Sequence, residues 1–371
     1  MLGVFLTLAL ATADAGPAAS RLQVHFFDVG HGNAALIISP LGKTVLVDGG
    51  PADQANSLVA KLRPYLKGPI DLVVSSSPTP EMFGGLAAAV KTFGAARFLT
   101  SGQRPENAAH EQLLASLSTG NVKVLAPRPN PRSPLEPVRI DLGGAMLEVF
   151  WPRVPYEPTL TALYPEKANG IVMRLKHVGT SMLFASEAQP ETEAALVEKG
   201  FDLSTTLLVV ADHGAALSST QAFLDLVRPR VAVVSVGAGN KRRMPSRPTT
   251  ERLSRLGATV LRTDLDGDID VEGDGERLYV RTSRRPPGTP DAARAFPPTG
   301  SARTELLDAG DVLGFAMSLD EHVEFAGSSK TKEFHRLGCP TVKTFTEDEL
   351  ILYSSRAQAE KTRTPAADCS P

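Results

Sequence analysis

This 371-residue sequence has only two cysteines, a formal net charge close to zero and no long apolar run. The formal net charge of −2 excludes a globally basic nucleic-acid binder, although a local basic patch stays possible. No stretch approaches the ~20 consecutive apolar residues that a membrane-spanning helix needs. The two cysteines, Cys339 and Cys369, lie close to the C-terminus, so any disulfide or thiolate metal site is confined to that end.

The first fifteen residues differ from the rest of the chain. An apolar run, "LGVFLTLALA" at residues 2–11, is followed by "ADA" at residues 13–15. This order predicts a secretory signal peptide over residues 1–15, cut before Gly16, and therefore export to the periplasm or the extracellular space. No Lys or Arg precedes the apolar run, so an ordinary N-terminal hydrophobic segment is the alternative.

Strand and helix patterns alternate from residue 21 to residue 282. Two successive β-rich halves with interspersed helices predict an α/β fold, a four-layer αβ/βα sandwich, with a doubly wound single sheet as the alternative. Residues 259–282 read as a hairpin. Residues 283–323 include a stretch rich in Pro, Arg, Ala and Thr and are predicted to be a linker. A small α+β module is expected over residues 324–371.

One stretch, "DLVVSSSPTPEMFGGL" at residues 71–86, has the form of an active-site loop. A buried strand runs into a short polar loop and then into the turn at Gly84 and Gly85. Many α/β proteins keep their chemistry at such a strand end. The loop nevertheless contains no histidine, and Glu81 is its only charged side chain.

The order of the segments resembles the metallo-β-lactamase fold and, within it, the hydrolase domain of ComEC-type competence proteins. That family carries "FxDVGQGDA", "ILIDGG", "LxxSHPHxDHxGGL", "GD", "HHGS" and "VGxxNxxxHPH" in this order. The matching segments here are "FFDVGHGNA" (26–34), "VLVDGG" (45–50), "SSPTPEMFGGL" (76–86), "FASEA" (184–188), "VADHGA" (210–215) and "VSVGAGNKRRMPSRP" (234–248). The agreement extends over about 260 residues, which is far more specific than a match to one motif.

The resemblance implies a metal-dependent hydrolase, in which divalent ions acidify a bound water molecule. The family's metal-binding histidines and aspartate are replaced in one motif, at the degenerate metal positions Ser77, Thr79, Glu81 and Met82. Serine and threonine are poor zinc ligands, and a methionine thioether suits copper(I) better than a hydrolytic ion. The motif therefore predicts a site that has lost its zinc ligands.

Other site positions have also changed. Glu187 stands where the family has aspartate, Asp212-His213 replaces a His-His pair, and Met244-Pro245-Ser246 replaces "HPH". In one interpretation the remaining polar residues are non-catalytic. In the other, they regroup as an oxygen-rich site for Mg²⁺ or Mn²⁺, with His31 as a further possible ligand. The candidates for this altered site are Glu81, Glu187, Asp212 and His213.

The scaffold of the family's site is retained. Asp28, Asp48, Gly84 and Gly85 match the family, where they support the loop geometry around the site. The loop that faces the site in the family is basic here, "NKRRMPSR" at residues 240–247. A DNA backbone or another phosphorylated ligand could bind there, or the charges could simply be solvated. The phosphate-binding candidates are Lys241, Arg242, Arg243 and Arg247.

The C-terminal segment resembles the small zinc module of Ada-type repair proteins. His335, Cys339 and Cys369 match three of its four metal ligands, whereas the remaining ligand position is Ala366. Zinc bound by these three residues, with Asp368 or water as the fourth ligand, and a disulfide between Cys339 and Cys369 are the two alternatives.

Three functions follow from the sequence. The first is an exported, catalytically inactive protein that acts by binding nucleic acid or a phosphorylated ligand. The second is a metal-dependent hydrolase or phosphodiesterase with an altered, carboxylate-rich site. The third is a structural or regulatory module of the cell envelope.

Overall fold

The structure is a computed structural model, and it describes residues 21–103, 107–120, 122–129, 136–153, 157–285, 292–299, 317–318, 325–328, 330–336, 339–344, 350–353 and 356–367. The predicted signal peptide, most of the predicted linker, Asp368 and Cys369 lie outside these residues. No described helix has both the length and the apolar character needed to cross a membrane.

The first sheet has ten strands in the order β16-β15-β14-β1-β2-β3-β4-β5-β6-β17. Strands β3 to β6 run parallel to one another, and the other described pairings in this sheet are antiparallel. The strands are β1 (Leu22–Phe26), β2 (Ala35–Ile38), β3 (Thr44–Val47), β4 (Leu72–Ser75), β5 (Arg97–Thr100), β6 (Lys123–Ala126), β14 (Ile269–Gly273), β15 (Leu278–Thr282), β16 (Arg294–Phe296) and β17 (Met317–Ser318).

The second sheet has seven strands in the order β13-β12-β11-β10-β9-β8-β7. Strands β10 to β13 are parallel, and β7 to β10 are antiparallel. The strands are β7 (Val138–Asp141), β8 (Met146–Trp151), β9 (Val172–His177), β10 (Thr180–Phe184), β11 (Leu207–Val209), β12 (Val231–Val234) and β13 (Thr259–Arg262).

Of the nine helices that the structure describes between residues 21 and 282, six begin at a capping side chain or a proline. Pro80 opens one helix after the extended residue Thr79, and Pro190 opens another whose capping box joins Gln189 and Thr192. The helices are α1 (Ala55–Leu62), α2 (Pro80–Phe83), α3 (Leu86–Phe93), α4 (Ala108–Thr119), α5 (Pro165–Ala168), α6 (Pro190–Glu198), α7 (Gln221–Val227), α8 (Arg247–Arg255) and α9 (Thr263–Asp266). The six that begin at a capping side chain or a proline are α2 and α4 to α8.

Three apolar cores show how these elements are layered. The central core joins side chains of both sheets, such as Val24 and Val45 of the first and Met173 and Val209 of the second. A second core packs α1, α3 and α4 on the outer face of the first sheet. A third core packs α6, α7 and α8 on the outer face of the second sheet. The predicted four-layer αβ/βα sandwich is therefore confirmed, and the doubly wound single sheet is wrong.

Two segments differ from the sequence expectation. Residues 259–282 do not form one hairpin, because β13 pairs in parallel with β12 of the second sheet, while β14 and β15 pair with each other in the first sheet. In the segment predicted as a linker, β16 pairs antiparallel with β15. Short antiparallel strands on a sheet edge carry little periodic signal, which explains why composition alone suggested a linker there.

The described C-terminal residues contain a four-stranded sheet in the order β20-β18-β19-β21. Its elements are β18 (Phe325–Ser328), β19 (Glu333–Arg336), β20 (Leu350–Tyr353), α10 (Arg356–Glu360) and β21 (Thr364–Pro365), with a 3₁₀ turn at Pro340–Thr344. Phe325, Phe334, Tyr353 and Ala359 form a small core of their own. A small α+β fold is therefore present at this end of the chain.

Candidate functional site

The site lies at the carboxyl ends of parallel strands from both sheets. Asp48 follows β3 and Glu81 follows β4 in the first sheet, while Glu187 follows β10 and Asp212 follows β11 in the second. Carboxyl ends of parallel strands meet at one edge of a sheet, which is where α/β folds commonly place ligand-binding loops.

A lysine occupies the centre of the acidic cluster. The Lys167 ammonium nitrogen lies 2.7 Å from Glu187 Oε1, 2.9 Å from Asp212 Oδ1 and 3.9 Å from Glu81 Oε1. Lys167 is only 5% exposed and Glu187 is fully buried. The sequence reasoning did not identify Lys167, which belongs to the short helix α5 rather than to any of the quoted motifs.

The cluster is electrostatically coupled. Burial alone lowers the pKa of Lys167, but the charges of Glu187 and Asp212 and its hydrogen bonds to both outweigh burial and raise that pKa above its usual value. Burial likewise raises the pKa of Asp212, but the Lys167 charge and the hydrogen bonds from Lys167 and Gln189 lower it overall. Both groups are therefore charged at neutral pH.

The remaining oxygens of the two buried carboxylates are also bonded. Thr79 Oγ1 donates to Glu187 Oε2 at 2.5 Å, so one of the degenerate metal positions now serves the acidic cluster. Gln189 Nε2 donates to Asp212 Oδ2 at 3.2 Å and to the Glu187 carbonyl oxygen at 2.8 Å. Gln189 was also missed from the sequence.

Two imidazoles lie beside the cluster. The rings of His31 and His213 have centroids 4.4 Å apart. His213 Nδ1 is 2.8 Å from the Ser235 carbonyl oxygen, whereas His213 Nε2 and both His31 ring nitrogens have no hydrogen-bond partner among the described residues. Burial, followed by the nearby His213, lowers the pKa of His31 to about 4, so this ring is neutral at neutral pH.

Ligand-type atoms of Glu81, Glu187 and His213 lie within 4.8 Å of one another, the only such group found among the described residues. Three predicted site residues are thus brought together, and Asp212 joins them through Lys167. A divalent ion bound by these groups would take their oxygen and nitrogen atoms at about 2.0–2.6 Å. It would then lie beside the Lys167 ammonium, whose positive charge opposes it, so the residues present do not fit a divalent ion.

Among the described residues, the other two degenerate positions, Ser77 and Met82, make no recorded side-chain hydrogen bond or ion pair with the acidic cluster. Met82 is fully buried, and its carbonyl oxygen accepts a hydrogen bond from Gly49 N at 2.7 Å. Ser77 is buried, and its hydroxyl has no partner among the described residues.

Asp48 is a buried carboxyl beneath the site. Its oxygens accept hydrogen bonds from Ser76 N at 2.8 Å and Ser76 Oγ at 2.7 Å, and Ser76 Oγ also lies 2.7 Å from Ser186 Oγ. Burial raises the pKa of Asp48 to about 8. Asp48, Ser186, Asp212 and His213 all have positive φ angles, so strained backbone concentrates at this site.

Asp28 is half-buried in the loop between β1 and β2. Its carboxylate accepts a hydrogen bond from Gly30 N at 3.3 Å and pairs with Arg284 at 2.7 Å. These contacts tie the β1–β2 loop to the chain beyond β15.

Gly84 and Gly85 allow the chain to pass close to the loop after β3. A Cβ atom on Gly84 would lie 2.4 Å from Ala52 N, and one on Gly85 would lie 2.2 Å from Gly49 O. Neither glycine has a positive φ angle. The close approach, rather than backbone conformation, therefore requires glycine here.

The basic loop is held rigidly beside the site. Asn240 Nδ2 donates to the carbonyl oxygens of Gly237 and Met244, and Asn240 Oδ1 accepts from Met244 N. Ser246 N donates to Gly214 O at 2.8 Å, which fixes the loop against the turn that carries Asp212.

Three of the four basic side chains are exposed without an ion pair among the described residues, and these are Lys241, Arg242 and Arg243. Arg247 is also exposed, but it pairs with Glu251 at 2.6 Å. The unbalanced charge of the loop therefore comes from three side chains.

In the C-terminal module, Cys339 Sγ lies 3.7 Å from His335 Nδ1, and both residues are buried. Ala366 is also buried. Cys369 lies outside the described residues, so zinc binding and a disulfide both stay predictions.

Comparison with known proteins places the chain near the competence proteins. It is 31% identical over 123 residues to competence protein ComA of Neisseria gonorrhoeae, covering 32% of this chain and 18% of that protein. It is 22% identical over 269 residues to recombination protein 2 of Haemophilus influenzae, covering 71% of this chain and 30% of that protein. The resemblance to ComEC-type competence proteins is confirmed. The chain spans less than a third of the length of either relative, and no family model matches it.

Solved structures that align with part of this chain include PqqB and SMB-1. Zinc-bound PqqB from Methylobacterium extorquens aligns with a TM-score of 0.40 and 10% identity, covering 64% of this chain and 97% of that one. The metallo-β-lactamase SMB-1 aligns with a TM-score of 0.35 and 17% identity, covering 53% and 83%. Both scores are below 0.5, so the four-layer fold rests on the sheets and cores described above.

Proposed function

We propose that this ComEC-like chain acts by binding a nucleic-acid backbone and does not hydrolyse it. The observation that carries the proposal is the Lys167 ammonium, 2.7 Å from Glu187 and 2.9 Å from Asp212, where a hydrolytic metal would need the same oxygens. A metal-activated hydroxide is the nucleophile that this kind of site supplies. With the carboxylates committed to Lys167, that nucleophile is not generated.

The basic loop supports a phosphate ligand. Lys241, Arg242 and Arg243 are exposed and unpaired among the described residues, on a loop that Asn240 holds in a fixed shape. Cations on a preordered loop bind phosphates with little loss of conformational entropy. The acidic cluster beneath them would repel a phosphate, so the ligand is expected at the rim rather than in the centre.

Exposed apolar side chains close in sequence to Lys167 and Asp212 favour a single strand over a duplex. Leu163 is 82% exposed and Tyr164 is 48% exposed, immediately before α5, and Leu217 is 76% exposed, five residues after Asp212. An unpaired base can stack on the Tyr164 ring and make apolar contact with the leucines, whereas the bases of a duplex are already stacked on one another. Single-stranded DNA is therefore the ligand that we expect to bind more tightly.

A binding assay with loop variants tests this function. We expect the triple variant K241A/R242A/R243A to lose at least tenfold in affinity for a labelled single-stranded oligonucleotide at low salt, with a shallower salt dependence than the wild type. Fluorescence anisotropy over a salt series measures both quantities.

The matched control is K67A/K91A/K123A, which removes three exposed lysines without described ion pairs: Lys67 follows α1, Lys91 lies in α3 and Lys123 begins β6. It should bind like the wild type. Absence of any wild-type binding at low salt would contradict the proposal, and equal losses in the two triple variants would contradict the assignment to the loop.

A metal-dependent phosphodiesterase is the second candidate. The convergence of Glu81, Glu187 and His213 within 4.8 Å favours it. It requires Lys167 to leave its position or lose its proton, and the raised pKa of Lys167 opposes the second possibility.

Export is the final part of the proposal. The apolar segment at residues 2–11 and the "ADA" that follows it support passage through a secretory route.

A further inference from the structure

Lys167 connects three separate segments of the site. Glu81 belongs to α2, Glu187 follows β10 and Asp212 follows β11, and the ammonium contacts a carboxylate oxygen of each. One cation thus ties loops of the first sheet to loops of the second. In proteins, this type of connection through several carboxylates is typical of a bound divalent ion.

The backbone that presents Lys167 is anchored on several sides. Asn169 accepts from Leu160 N and donates to the carbonyl oxygens of Leu160 and Pro165. The Ala168 carbonyl oxygen accepts hydrogen bonds from Trp151 Nε1 at 3.1 Å and Thr192 Oγ1 at 2.6 Å. These hydrogen bonds hold the one-turn helix α5 in place, and α5 in turn positions the Lys167 ammonium within the acidic cluster.

His213 provides a second, independent sign that a cation belongs here. The residue is 1% exposed, and its Nε2 atom has no hydrogen-bond partner among the described residues. Its Nδ1 atom lies 2.8 Å from the Ser235 carbonyl oxygen, which would place the proton on Nδ1 and leave Nε2 with a free lone pair. Such a nitrogen, close to Glu81 and Glu187, is a free donor atom of the kind that binds a divalent ion.

We infer that Lys167 is a resident cation that stands in for a divalent ion, and that removing its ammonium converts the cluster into a divalent-cation site. Glu81, Glu187, Asp212 and His213 are the ligands of that site. Three carboxylates and one imidazole suit Mn²⁺, which accepts oxygen and nitrogen donors. The inference rests on the proposed non-hydrolytic function only in requiring that the wild type binds no metal at this position.

The test is Mn²⁺ binding by the full-length K167A variant. We expect about one equivalent of Mn²⁺ by titration calorimetry and electron paramagnetic resonance, and a rise of several degrees in the thermal midpoint upon addition of Mn²⁺. Wild type should show neither effect. Mn²⁺ is preferred over Zn²⁺ as the probe because the sulfur of Cys339 in the C-terminal module favours softer ions.

Two further variants control the assignment. K176A removes a lysine that lies 3.8 Å from Glu148 on β8, so it tests whether loss of any carboxylate-paired lysine creates metal binding. It should bind no Mn²⁺. The double variant K167A/D212A should lose at least tenfold in Mn²⁺ affinity relative to K167A.

The possible outcomes separate the two proposals. If folded K167A takes up no Mn²⁺, the resident-cation inference is overturned while the proposed binding function stands. If the wild type binds Mn²⁺ in a manner that D212A abolishes, both are overturned. If K167A does not fold alone, refolding in millimolar Mn²⁺ must recover folded protein, and failure of that recovery for both K167A and K167S overturns the inference.

Discussion

Lys167 and its carboxylates depend on one another. Transfer of one charged group from water into a protein interior costs several kcal/mol, and only close partners offset that cost. Glu187 is fully buried, so it needs a cation, and Lys167 at 2.7 Å is the one that the fold supplies. The same three carboxylates cannot serve an ammonium and a divalent ion at once.

The coupling sets the pH range over which this cluster stabilises the fold. The pKa of Asp212 is lowered, so its contribution is present above its usual value and is lost as the pH falls through the lowered value. The pKa of Lys167 is raised, so its contribution is present below its usual value and is lost as the pH rises through the raised value. The cluster is therefore intact at neutral pH.

Unlike the Lys167 cluster, Asp48 is expected to lose its stabilising contribution as the pH rises through the neutral range. Burial raises its pKa from 3.8 to about 8, so the folded protein binds a proton that the unfolded chain releases. Its contribution is present below the unfolded value of about 4 and is lost as the pH rises through about 8. We expect the wild-type free energy of unfolding to decline between pH 5 and pH 9 and D48N to flatten that decline, as measured by urea denaturation.

The control for Asp48 is Asp225, an exposed carboxylate whose described side-chain bond is to Gln221 on the same helix. D225N should retain the wild-type pH dependence. A wild-type stability that does not fall between pH 5 and pH 9, or a D48N variant with an unchanged slope, would show that Asp48 is ionised in the folded protein.

At the scale of elements, the glycine pair between α2 and α3 sets how closely two loops of the first sheet approach. A Cβ on Gly85 would lie 2.2 Å from the Gly49 carbonyl oxygen, which is backbone and cannot rotate away. We therefore expect G85A to lower the free energy of unfolding by about 1–3 kcal/mol, the usual cost of overpacking. The urea midpoint measures this loss.

Gly68 offers the matched control for Gly85. A Cβ at Gly68 meets nothing within 4 Å, and its φ angle is not positive. G68A should leave stability within about 0.5 kcal/mol of wild type or raise it slightly, because alanine reduces the entropy of the unfolded chain. Equal effects of G85A and G68A would rule out the close approach as the reason for glycine at position 85.

The sequence predicted the buried strands well, but it predicted the short helices poorly. Buried runs such as β4 are recognisable from their unbroken Leu and Val, whereas Glu81, Glu187, Asp212 and His213 were predicted from the resemblance to the motifs of ComEC-type proteins. Lys167 was not predicted as a site residue, because α5 has only four residues and is too short to show a periodic pattern. A charge argument gives a partial signal: buried carboxylates need a cation, but 39 lysines and arginines offered no basis for choosing one.

At the scale of the whole molecule, the site exists only because two sheets meet. Each sheet contributes acidic residues at the ends of its parallel strands, and the central core holds the sheets face to face. Sequence patterns predict which residues follow strands, but distances between residues such as Glu81 and Asp212 depend on how the sheets pack. The four-layer resemblance made their convergence predictable, whereas the ammonium between them required three-dimensional structure.

The metal content of the wild-type chain tests the central claim most directly. Full-length protein is incubated with Mn²⁺, freed of unbound metal by gel filtration, and assayed for Mn²⁺ and for turnover of a simple phosphodiester. Because Lys167 occupies the carboxylates, we predict no stoichiometric Mn²⁺ and no turnover above that of D212A. One equivalent of bound Mn²⁺, with turnover that D212A abolishes, would contradict the account.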